Sequence, residues 1–172
     1  MDRVLDAAAT GPRYLQIPKI AELIMSALLS GDSDFHRYDL HAFVVMANHV
    51  HMLVTPRVID KQWLGPLKGF TGHAANKLLG LRGRPFWQDE SYDHLVRSRE
   101  ELHRIETYIE HNPLKAGIVA CATEFRWSQR PNGGLKGRPQ AGLPATLISM
   151  QRRVGIDAGG APGWRPGGRQ RH

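Results

Sequence analysis

Cysteine is almost absent from this chain, and that narrows what it can be. Cys121 is the only one in 172 residues, so no internal disulfide can form and no cysteine-built zinc cage can assemble. No run approaches the roughly 18 apolar residues that span a bilayer, and the N-terminus carries no signal-peptide pattern. A cytoplasmic protein without membrane contact is the expectation, with room for one compact domain. Acidic residues are scarce at one end only. From Arg126 onward nine Lys/Arg stand against Asp157 alone, whereas residues 1–125 hold 14 basic and 15 acidic residues. The net charge of +7 therefore belongs to the tail. Within the balanced part, Lys61, Lys68, Lys77, Arg82, Arg84, Arg97 and Arg99 outnumber Asp89, Glu90 and Asp93. That local excess could hold a phosphate backbone, although charge alone favours an ordinary solvated face.

What is present is a sequence of alternating periodicities. Pro18 opens a helix with Ile20, Leu23, Ile24, Ala27 and Leu28 at helical spacing, and Ser30-Gly31 is expected to end it. Leu40 to Met46 is apolar at nearly every position, as a strand buried on both faces should be. Ala47-Asn48 interrupts it. The next segment alternates, with His49, His51 and Leu53 pointing one way and Val50, Met52 and Val54 the other. Two antiparallel strands with a tight connection follow, carrying both imidazoles on one sheet face. Residues 61–79 read as a second helix, with Leu67, Phe70, Thr71, Ala74, Ala75 and Leu78 as its packing stripe. Ser91 to Arg97 is a short strand. Ser98, with Glu101 three residues on, has the capping-box pattern of a third helix, and Asn112-Pro113 is expected to stop it. Residues 129–172 contain ten Gly and five Pro, which marks a disordered tail. The domains expected are therefore 1–128 and a 129–172 tail. Helices over a small antiparallel sheet make an α+β layer architecture near the split βαβ, or ferredoxin-like, fold.

The histidine pair and Tyr108 carry the candidate chemistry. In a chain with nine histidines, a His-x-His triplet is not specific by itself. A strand histidine pair is often structural, a helical tyrosine is often core, and Asn-Pro is a common helix stop. Their joint order is what matters. Tyr108 and Asn112 share one helix edge, and if that edge lies over His49 and His51, four side chains converge. A phenol is a weak nucleophile at neutral pH, because a pKa of about 10 leaves roughly one molecule in a thousand ionised. A divalent cation would polarise an anionic phosphodiester and neutralise developing charge. Two imidazoles and an amide oxygen, with open positions left over, would suit Mg²⁺ or Mn²⁺. Lys68, Arg82, Arg84, Arg97 and Lys115 are candidate strand contacts, with Trp87 available for packing or base stacking.

These residues occur in wording that resembles a known family. Met46-Ala47-Asn48-His49-Val50-His51-Met52-Leu53 is similar to the HUH segment of the single-tyrosine transposases, the insertion-sequence-200-like group. Phe86-Trp87-Gln88, Tyr92-Asp93-His94-Leu95-Val96-Arg97 and Tyr108-Ile109-Glu110-His111-Asn112-Pro113-Leu114-Lys115-Ala116-Gly117-Ile118-Val119 look like segments of its REP-associated tyrosine transposase branch. Lys68-Gly69 and Asn76 also fit, and the likeness runs from about Asp2 to Ser128.

The resemblance implies a ferredoxin-like HUH domain that nicks and rejoins single-stranded DNA beside hairpins through a 5′-phosphotyrosine. It makes Tyr108 the nucleophile, and His49, His51 and Asn112 the metal ligands. A relative that grips hairpin DNA without cutting it is the alternative, and a metal-dependent hydrolase using water is a third. The chain has Ala47 where the family usually has Pro. It also starts after the family's first strand, which pairs beside the histidine strand. The expectation is an open slot in the sheet, and with it poor solubility or a homodimer that lends a strand.

Overall fold

Apolar alternation builds a core twice over, once on each face of a single sheet. The computed structural model describes residues 12–58, 61–129 and 145–151. The elements are α1 (Pro18–Ser33), β1 (Tyr38–Val45), β2 (His49–Pro56), α2 (Leu64–Leu79), β3 (Tyr92–Leu95), α3 (Arg99–Lys115), β4 (Ser128–Gln129) and β5 (Thr146–Gln151). The strands form one sheet in the order β3-β5-β2-β1-β4, every neighbouring pair antiparallel. The described residues are thus α+β, with a five-stranded antiparallel sheet and three helices. No helix among the described residues is long and apolar enough to cross a membrane.

A bulge in β1 explains why that strand is apolar at nearly every position. Its register against β2 shifts between Leu40 and Ala42, so the face each residue takes changes parity at His41. Tyr38, Leu40, Phe43 and Val45 join one core with Ile20, Ile24 and Leu28 of α1 and Ala75 of α2. Ala42, Val44 and Met46 join the other, with Leu102, Ile105 and Ile109 of α3. One sheet face therefore carries α1 and α2, and the opposite face carries α3.

The largest departure from expectation is in the tail. Thr146–Gln151 is not disordered: it pairs with β2 along its whole length and with β3 on its other edge. Leu147 enters the α3-side core, while Ile148 and Met150 enter the opposite one. A Gly/Pro average over 44 positions had hidden six residues with strand periodicity. The 1–128 boundary is corrected accordingly, because the sheet extends to residue 151. The slot beside the histidine strand is filled from within the chain, which removes the physical reason for strand borrowing.

Two helix ends also differ. Gly31 does not stop α1, which runs on to Ser33. Tyr38 Oη donates to Leu28 O at 2.9 Å, and a Cβ on Gly31 would lie 2.1 Å from the Tyr38 hydroxyl oxygen. The glycine is a packing requirement. Asn112-Pro113 likewise lies inside α3, which ends at Lys115. A proline in the last turn removes only one helical N–H bond, and Gly117, at φ 67°, follows the last turn. By contrast Ser98 caps α3 through Glu101 N at 3.1 Å. Glu101 returns its carboxylate to Arg97 N at 2.8 Å rather than to Ser98 itself.

Candidate active site

His49 and His51 are two residues apart on β2, so the pleat turns both toward α3. Their rings lie 4.7 Å apart between centroids. The Tyr108 ring meets His51 edge-on at 5.7 Å, so three of the four converging residues are together. Asn112 follows one turn later on α3 and is buried. Lys115, a further turn along, holds its ammonium 5.1 Å from the Tyr108 ring centroid, which sets a positive charge beside the phenol.

The two imidazoles differ in environment. Asn48 Oδ1 accepts from His49 Nδ1 at 2.8 Å, which puts the His49 proton on Nδ1 and the lone pair on Nε2. His51 is fully buried, and neither of its ring nitrogens has a hydrogen-bond partner among the described residues. Burial, and then repulsion from His49, push its pKa down to about 3. It is a neutral base held dry at ordinary pH.

The tail strand contributes to this surface. Ser149 pairs with His51 on one side and Tyr92 on the other, so it stands between them on the α3 face. Sequence reading missed it, because it lies in a segment taken as disordered. Asn48 had a visible signal, a hydrogen-bonding side chain directly before the first histidine. Glu106 is another buried polar group on α3, with one carboxylate oxygen unpartnered among the described residues.

The candidate DNA contacts divide between the two sheet faces. Lys115 stands at Tyr108, and Arg97 is exposed at the start of α3. Lys68, Arg82 and Arg84 line a cavity between α2 and the loop after it, on the far side of the sheet. Lys68 is committed: its ammonium donates to Gln88 O at 2.8 Å, Asp89 O at 3.1 Å and Glu90 O at 3.4 Å. Burial lowers its pKa, with Asp89 opposing. Trp87 is corrected to a packing residue, since it is buried and its Nε1 donates to Thr71 Oγ1 at 2.9 Å. The packing stripe expected for α2 is corrected too, because Phe70 is 61% and Leu78 55% exposed.

No family model matches the chain, and comparisons with curated proteins and with solved structures returned no match either.

Proposed function

We propose that the chain nicks and rejoins single-stranded DNA in the manner of the single-tyrosine HUH transposases, on a ferredoxin-like domain, with Tyr108 as nucleophile. The observation that carries the reading is His51. A fully buried imidazole with two unpartnered nitrogens costs stability, and its placement between His49 and Tyr108 gives that cost a use.

The donor chemistry fits a divalent cation. His49 Nε2 and a His51 nitrogen, with the Asn112 amide oxygen, would hold Mg²⁺ or Mn²⁺. The set is small: among the described residues no three His, Cys, Asp or Glu form a metal group. Positions would therefore stay open for phosphate and water. Such an ion would neutralise charge building on the phosphate. Tyr108 Oη attacks phosphorus, the phosphorus–O3′ bond breaks, and a 5′-phosphotyrosine forms. The phenol proton passes to water, and the departing 3′ oxygen takes one up. Rejoining is the same step reversed with a second 3′-OH. Lys115 offsets the charge that gathers at Tyr108 and the phosphate.

A second reading is a hairpin-DNA-binding protein that does not cut, favoured by the same burial: His51 is fully enclosed, with the Tyr108 ring edge-on to it. One experiment separates the two. The 172-residue protein is incubated with end-labelled single strands bearing hairpins, with Mn²⁺ or Mg²⁺, and resolved under denaturing conditions. A covalent protein–DNA adduct that disappears in Tyr108→Phe and in His51→Ala is the expected result. Binding without any adduct would select the second reading, and an undiminished cut by Tyr108→Phe would point to water as nucleophile.

A further inference from the structure

A second recognition surface lies on the opposite side of the sheet. Between α2 and the loop that follows it is a cavity of about 460 Å³, within the roughly 300–1,000 Å³ range of small-ligand sites. Lys77, Arg82, Arg84 and His73 line it together with Lys68, and among the described residues no carboxylate does. With the Lys68 ammonium spent on backbone carbonyls, Lys77 and Arg82 still give the mouth a cationic character. Gly80, at φ 69°, caps α2 and starts the turn that brings Arg82 and Arg84 back beside the helix.

Two further features say that the occupant is more than an inorganic anion. Asn76 lines the cavity, is buried, and donates its Nδ2 to Arg84 O at 2.5 Å. Its Oδ1 has no donor among the described residues. Phe70 stands on the same helix edge one turn before His73, with 61% of its surface in solvent. An aromatic ring beside cations and an unpaired amide acceptor are the three parts that receive a nucleotide. The ring stacks a base, the cations hold phosphate, and the amide takes a base N–H.

We infer that this cavity binds one nucleotide of a single-stranded nucleic acid, anchoring the strand on the sheet face opposite Tyr108. The inference rests on the proposed function only for the kind of polymer; it stands or falls by binding, whereas that reading stands or falls by the covalent adduct.

Gly69 gives a test that changes no charge. It lines the cavity, and a Cβ built on it meets nothing within 4 Å, so Gly69→Leu folds and fills the space. Binding of fluorescent dT12, dTMP and inorganic phosphate is measured by anisotropy and competition, on the full chain carrying Tyr108→Phe. Gly69→Leu and Lys77→Glu/Arg82→Glu should each weaken dT12 binding at least about tenfold. The double charge reversal should also lower the salt slope by about 1–2. Phe70→Ala, at an exposed position, should cost about five- to tenfold, the low end for loss of one stacked base. Unfolding curves matching the parent would exclude misfolding. Full dT12 affinity in Gly69→Leu would reduce the cavity to a diffuse charged surface and overturn the proposal. So would dTMP or phosphate competing as well as dT12 itself, because the occupant would then be a free nucleotide or ion. An adduct formed by the Tyr108 protein with unaltered binding in these variants would refute the cavity and leave the catalysis standing.

Discussion

The two faces of the sheet bury polar groups in different ways. On the α1/α2 side Tyr38, Trp87 and Thr71 are answered by Leu28 O, Thr71 and Leu67 O, and the groups left without partners among the described residues, Trp63 Nε1 and Asn76 Oδ1, are neutral. On the α3 side His51 and one oxygen of Glu106 are left without partners among the described residues. A core built for stability alone has no reason to bury unpaired imidazole, and the desolvation cost must be met by packing elsewhere. The orphaned groups among the described residues are neutral on one face and titratable on the other, and the titratable face is the one that holds the candidate chemistry.

β5 is where that comparison is easiest to break, because it serves both faces at once. Leu147 packs toward α3 and Ile148 toward α1 and α2, each essentially without exposure. Either residue changed to Ala should cost about 2–5 kcal/mol, read from denaturant midpoints. A chain ending at residue 144 should lose the shared partner of β2 and β3 and fail to unfold cooperatively. A normal transition in that shortened chain would mean that β5 is not part of the stable sheet.

His51 sharpens the contrast with a smaller effect of opposite sign. His51→Leu should raise stability by about 1–3 kcal/mol, since an apolar side chain removes two unsatisfied atoms, while adduct formation is lost. It should also alter the acid limb. The unfolded imidazole takes a proton below its ordinary value of 6.5, and the folded one resists until about 3. The parent therefore has this contribution in full above pH 6.5 and loses it as pH falls toward 3, by up to about 1.4 kcal/mol per pH unit. His51→Leu lacks that slope. Parallel pH–stability curves for the two proteins would show that His51 is not buried in solution.

The same contrast bears on what the sequence could say. Residue alternation on β2 put His49 and His51 on one face, and helical spacing on α3 put Tyr108 and Asn112 on one edge; that the edge lies over the imidazoles is a tertiary contact that neither local periodicity contains. The ends of helices were not legible where a tertiary contact overrode a local signal, as Tyr38 does at Gly31. Phe70 reads as core by spacing, yet α2 turns that edge to solvent. β5 was hidden by averaging: its order is long-range, set by the open edge of β2, and composition over a 44-residue window reports only its neighbours.

The smallest effects come from single hydroxyls, one on each face. Thr71→Val keeps the shape but strands the buried Trp87 Nε1, for which Thr71 Oγ1 is the acceptor, and should cost about 1–2 kcal/mol. Ser149 is as deeply buried, yet no hydrogen bond to its hydroxyl occurs among the described residues. Ser149→Ala should then change stability by less than about 0.5 kcal/mol, because nothing loses a partner. Ser149 stands beside His51 in the register. Under the nicking reading the same substitution should slow adduct formation without moving the unfolding midpoint. Equal destabilisation by the two changes would mean that the Ser149 hydroxyl has a structural partner, as that of Thr71 has, and is not held for the site.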